Sequence, residues 1–135
     1  QWVEIIEVTI SVASVLRFAQ LAGIDSPDFP EPIQGHPTRQ TQPSKPAKHH
    51  WVPVVHLEDS TPELAPFYAG LPALAPVIRA LSSVPAAMDT LFTLGDAQYI
   101  PMREMVDLNW TRGTLSRRQI ELVAGRLSAH RECFY

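Results

Sequence analysis

Cys133 is the only cysteine in the 135-residue chain. A lone thiol is a nucleophile, a redox centre, or simply a small buried hydrophobe. Arg131 and Glu132 precede it, and Phe134 and Tyr135 follow. If a new helix starts near residue 132, the free N–H groups at its first turn stabilise a thiolate there. Glu121 stands twelve residues earlier, between Ile120 and Leu122. It is either an exposed helix-face carboxylate or, half-buried beside the thiol, a proton acceptor. In one unbroken helix twelve residues span about 18 Å, so the two groups meet only if the chain breaks near residues 129–132. Neither glycine nor proline occurs there to announce a break. His130, three residues before Cys133, is a partner for the thiol or an ordinary surface histidine. His49, His50 and His56 cluster in sequence but have no cysteine or carboxylate at ligand spacing, so no metal is expected.

These side chains need elements to position them, and composition bounds what the elements are. Hydrophobic residues make up 45 % and charged residues 19 %, a globular balance sufficient for one domain. The net charge of −3 offers no basic excess for a phosphate backbone, so nucleic acid is not an expected partner. One cysteine excludes an internal disulfide framework and a multi-cysteine zinc site. Thirteen prolines cannot be spread through long helix interiors, where each costs about 3 kcal/mol.

Residues 1–25 form the first segment. From Trp2 to Ala22, polar residues fall at Glu4, Glu7, Ser11, Ser14, Arg17 and Gln20, a narrow stripe on an otherwise apolar helix. Gly23 is placed to terminate it. The length suits a bilayer, but two glutamates and an arginine argue against a membrane span, and the acidic start argues against a secretory signal. A largely buried helix of a soluble protein is expected, with a strand start as the alternative from its β-branched residues.

Residues 26–57 are proline-rich, and from Gln34 to His50 no large apolar side chain occurs. That stretch predicts an extended, partly disordered linker. Trp51–Leu57 is apolar and suits a strip that clamps onto the following domain.

Residues 58–135 read as helical. Ser60 or Thr61 caps a start at Pro62 and Glu63; Gly70 and Pro72 interrupt. Short helices follow over Ala73–Leu81 and Pro85–Gln98. A third is expected from Pro101, carrying Met102, Met105, Val106, Leu108 and Trp110, before a turn at Thr111–Gly113. Ser116 with Gln119 forms a capping box for the last helix, Leu115 and Ile120 are spaced as a hydrophobic staple, and Ile120, Val123, Ala124 and Leu127 form an expected core stripe. No clean alternation appears after residue 58, and the class is all-α.

The run from Leu115 to Tyr135, LSRRQIELVAGRLSAHRECFY, resembles the signature of alkylhydroperoxidase D-like (AhpD-like) proteins, the carboxymuconolactone decarboxylase superfamily. That signature has a capped helix bearing a glutamate, a Ser-Ala step, and a Cys-x-x-Cys pair followed by histidine. The first cysteine stands twelve residues after the glutamate, as Cys133 does after Glu121. Residues 62–114 fit the upstream helices loosely, and Glu4 to Ile24 is similar to the helix that closes such a unit. The second cysteine would follow Tyr135. The chain is therefore expected to be a fragment of a longer protein, cut from the middle of a tandem arrangement.

The resemblance implies a partial AhpD-like helical bundle in a thiol-dependent oxidoreductase that reduces hydroperoxides at the expense of a thiol or dithiol reductant. It implies Cys133 as the cysteine that closes the disulfide and Glu121 as part of the proton relay. It implies no cofactor, and assembly as a homo-oligomer. A cytoplasmic setting is expected. The rivals are a lactone decarboxylase of the same superfamily, which lacks the cysteine pair, and a non-catalytic helical interaction module in which Cys133 is inert.

Overall fold

The computed structural model describes residues 2–31, 33–35, 41–69 and 74–133. It is mainly helical, with a single two-stranded hairpin among the described residues. The chain divides into two compact units, Gln1–Tyr99 and Ile100–Tyr135.

The first unit opens with α1, Trp2–Ala22. Gly23 ends it with φ 65°, a left-handed conformation that glycine adopts without steric cost. Its N–H donates to Gln20 O at 3.3 Å and that of Ile24 to Ala19 O at 3.1 Å, the paired bonds of a Schellman end. The expectation of a largely buried helix is corrected: only Val3 and Ala19 are buried. Eight large apolar side chains of α1 stand exposed, namely Trp2, Ile5, Ile6, Val8, Ile10, Leu16, Phe18 and Leu21. The reason is orientation. Glu4, Glu7, Ser11 and Ser14 are half-buried together with Val12 and Val15. The helix packs along α4, Pro85–Gln98, through that side, and the Ser14 hydroxyl donates to Gln98 Oε1.

The proline-rich segment, expected as an extended, partly disordered linker before the Trp51–Leu57 strip, is anchored from Gln42 onward. Gln42 N–H donates to Ser83 O at 2.8 Å, and Lys45 and Val54 exchange backbone hydrogen bonds of 2.9 Å in an isolated antiparallel bridge. The Lys45 ammonium lies 2.7 Å from an Asp59 carboxylate oxygen. Residues 36–40, within that linker, lie outside the described residues. The expected strip is present: Val54 and Val55 are fully buried, while Trp51 is fully exposed. With no continuous ladder at Val55, side chains satisfy its backbone. Its N–H donates to the buried Ser82 Oγ at 2.8 Å, and its carbonyl accepts from Tyr68 Oη at 3.0 Å. Burial raises the Tyr68 phenol above its ordinary value.

Around this strip close α2 (Ala65–Tyr68), α3 (Pro76–Arg79) and α4. Leu64, Leu74, Ile78, Leu81, Val84 and Met88 join Val54 and Val55 in the core. Each fully buried aliphatic side chain contributes about 1.5–3 kcal/mol. Phe67 meets Phe92 edge to face, ring centres 5.0 Å apart. Pro85 occupies the first turn of α4, where its missing N–H costs nothing, and the helix runs through Gly95. The interruption expected at Gly70 and Pro72 lies outside the described residues, as does the start of the helix expected at Ala73.

The second unit departs twice more from expectation. No long helix follows Pro101: only a 3₁₀ turn forms, Met102–Glu104. The carbonyls of Glu104, Met105 and Asp107 accept from the Arg117 guanidinium, which competes with the N–H groups a continuing helix would bring to them. The turn at Thr111–Gly113 belongs to a hairpin of β1, Thr111–Arg112, and β2, Leu115–Ser116. Gly113, at φ 58°, is the first of its two loop residues, the glycine position of a type II′ turn. The hairpin qualifies the all-α expectation.

The last helix, α5, spans Arg117–His130. Its capping box forms as expected: Ser116 N–H donates to Gln119 Oε1 at 2.9 Å, and Gln119 N–H donates to Ser116 Oγ at 3.4 Å. The expected core stripe is not a core. Ile120 and Ala124 are half-buried, but Val123 and Leu127 are 68 % and 57 % exposed. Within this short unit β2 packs against α5, and it reaches only the helix's beginning.

Candidate functional site

The first turns of α5 build a polar cluster around Arg117 in the second unit. Arg117 is the first helical residue and is only 7 % exposed. One helical turn later comes Glu121, and Arg117 Nε donates to its Oε1 at 2.8 Å. The other guanidinium nitrogens bind the preceding loop. Nη1 donates to Glu104 O and Asp107 O, both at 3.2 Å, and Nη2 donates to Met105 O at 2.9 Å. Met105 Sδ lies 3.5 Å from Nη2. A planar fork with five donors suits several fixed acceptors at once, which a lysine ammonium could not match.

Arg117 and Glu121 line a shallow depression of about 850 Å³, together with Leu108, Asn109, Ser116 and Arg118. The Glu121 side chain is 43 % exposed. The carboxylate is therefore held in orientation by Arg117 and open to solvent.

Cys133 lies past the other end of α5. The helix stops at His130, and Glu132 takes φ 53°. Glu132 N–H donates to Ala129 O at 3.1 Å and Cys133 N–H to Ser128 O at 2.9 Å, a Schellman end built without glycine. The chain break required near residues 129–132 is thus present. The Cys133 thiol is free and exposed. Nine residues of helix, about 14 Å of rise, separate Glu121 from the end of α5, so the described chain does not bring the two groups together. A helix starting near residue 132 would involve Phe134 and Tyr135, which lie outside the described residues. His130 closes the last turn of α5 and is exposed.

The other histidines sit in the first unit. Burial is the first cause holding His50 below the ordinary 6.5, aided by Arg79 and its two histidine neighbours. His56 Nδ1 lies 3.8 Å from Glu58 Oε1. Among the described residues no group of three or more His, Cys, Asp or Glu side chains could hold a metal ion.

Sequence reasoning missed Arg117. Its signal was present as the Arg-x-x-x-Glu spacing at the start of a capped helix, but that spacing is common on exposed helix faces. What distinguishes Arg117 is a loop whose carbonyls converge on it. No family model, curated protein or solved structure matches the chain.

Proposed function

We propose that the chain is part of a thiol-dependent oxidoreductase of the AhpD-like type that reduces hydroperoxides. The observation that supports this best is the free, exposed Cys133 placed immediately beyond a glycine-less helix end, twelve residues after Glu121. In the reaction one hydroperoxide and two thiols give an alcohol, water and one disulfide. The peroxide O–O bond breaks, an S–S bond forms, and the two thiol protons leave in the alcohol and the water. Cys133 supplies one sulfur. The second belongs to the partner cysteine of the Cys-x-x-Cys pair, and a thiol or dithiol reductant restores both. Glu121, oriented by Arg117, is proposed as part of the proton relay that activates the thiols. A homo-oligomer is part of this reading.

The test is hydroperoxide consumption by the natural protein carrying this sequence, with excess dithiol. Cys133→Ser is expected to abolish turnover, and Glu121→Gln to lower kcat/KM by roughly 100-fold. Turnover indifferent to both substitutions removes the proposal. A non-catalytic helical interaction module is the second reading, favoured by the outward apolar side of α1.

A further inference from the structure

We propose that residues 25–31 are a polyproline-II ligand for a separate protein domain that bears an aromatic-lined groove with basic walls. The observation is a three-residue register: Asp25-Ser26-Pro27, Asp28-Phe29-Pro30, then Glu31 before another proline. A polyproline-II helix has three residues per turn and rises about 3.1 Å per residue. Each position of the triplet therefore becomes one edge of the helix. Asp25, Asp28 and Glu31 line the first edge, Ser26 and Phe29 the second, Pro27 and Pro30 the third. The same residues dictate the conformation. The rings of Pro27 and Pro30 fix φ near about −65°. Ser26, Phe29 and Glu31 each precede a proline, which keeps them in the extended region. Five of these seven residues are thus confined to the polyproline-II range before any partner is met.

The fold leaves this segment uncommitted. The Gly23 stop releases the chain from α1, and all of residues 25–31 are exposed. Among the described residues their one hydrogen bond is local, Ser26 Oγ donating to Pro27 O at 3.5 Å. The chain holds a second Pro-x-x-Pro run, Pro43-Ser44-Lys45-Pro46, and there the fold does the opposite. Gln42 N–H is bound to Ser83 O, Lys45 pairs through both backbone groups with Val54, and its ammonium is held by Asp59. One run is spent on the body of the unit and the other on nothing within it. A plain spacer needs prolines or polar residues but no register, and it has no use for a phenyl ring left 42 % exposed at Phe29.

The chemistry of the three edges selects the partner. Addition to a sheet edge is disfavoured, because Pro27 and Pro30 have no N–H to give to a ladder. A helix groove is closed to the segment for the same reason. An aromatic groove fits. The pairs Ser26-Pro27 and Phe29-Pro30 lie about 9 Å apart and fill two successive hollows between aromatic rings. Backbone carbonyls between them accept from Trp or Tyr donors on the groove floor. With two edges seated, the carboxylate edge runs along the groove between its walls. No lysine or arginine lies between Arg17 and Arg39 to offset those three charges, so acidic walls are repelled and basic walls attract. The proline-fixed backbone has little conformational freedom left to lose on docking.

The test is calorimetric titration of the full 135-residue chain with isolated SH3, WW and EVH1 domains, chosen in pairs with basic and with acidic groove walls. Basic-walled domains are expected to bind with Kd on the order of 10 µM, and acidic-walled ones roughly 10-fold more weakly. The double substitution Pro27→Ala, Pro30→Ala is expected to weaken binding by roughly 10-fold or more with an unchanged far-UV circular dichroism spectrum, since both rings are exposed. Asp25→Asn, Asp28→Asn and Glu31→Gln together are expected to erase the preference for basic walls. Pro43→Ala, Pro46→Ala is expected to leave binding unchanged. The proposal is overturned if no basic-walled domain binds at about 1 mM, or if binding survives loss of Pro27 and Pro30. Binding lost with Pro43 and Pro46 instead would assign it to the anchored run, and equal affinity for acidic walls would remove the charge selection. These readouts are binding alone, so they stand or fall separately from peroxide turnover.

Discussion

Arg117 shows how one side chain can decide the shape of its surroundings. Buried and bonded to three backbone carbonyls and one carboxylate, it ties the loop after Met102–Glu104 to the start of α5. Arg117→Ala is expected to destabilise the second unit by about 2–4 kcal/mol, because buried acceptors lose charge-assisted bonds. Arg117→Lys should recover only part of that, having one nitrogen where the fork has three. Urea denaturation of the two variants checks both expectations, and equal stability of Lys and wild type would show that charge alone suffices. His50 makes the opposite electrostatic contribution. Its folded-state value lies below 6.5, mainly through burial, so the fold favours the neutral ring. The unfolded chain takes up the proton first, so this stability is present above pH 6.5 and is lost as pH falls below it. Stability measured from pH 7.5 to 5.0 is expected to decline less steeply in His50→Gln than in the wild type.

At the level of elements, α1 and α5 end in the same way with different residues. Gly23 enters the left-handed region freely, while Glu132 does so at φ 53° against a steric penalty of about 1–2 kcal/mol. Glycine at that position relieves the penalty but adds freedom to the unfolded chain. Glu132→Gly is therefore expected to stabilise the end of α5 by about 0.5–1 kcal/mol, seen as slower exchange of the Glu132 and Cys133 amides. Unchanged or faster exchange would mean that the break carries no strain. The break directs the chain away from the axis of α5 at the residue that bears the thiol, so its rigidity bears on where Cys133 can be presented.

For the whole molecule, the notable feature is apolar surface left open on both long helices that flank the sequence, α1 and α5. Neither unit covers these surfaces with its own described residues. In the first unit the core around Val54, Val55, Leu64 and Met88 is closed by short helices and an anchored strip, and α1 contributes only Val3 and Ala19 to the buried set. α1 thus adds little to its own core while exposing much apolar area.

Local chemistry alone determined a good deal. The bounds of α1 and α4, the Gly23 stop and the capping box at Ser116 and Gln119 follow from periodicity, capping and turn residues acting over a few positions. Glu121 and Cys133 were likewise named by type and spacing. The tertiary structure decided the rest. Apolar periodicity marks a face without saying what covers it, so the stripes on α1 and α5 read as core and lie on the surface. The 3₁₀ turn after Pro101 depends on Arg117, more than a dozen residues away, whose donors take carbonyls that local propensity assigns to a helix. The glycine-less break at Glu132 is set by paired bonds to Ser128 and Ala129, whose geometry a list of residue types does not specify.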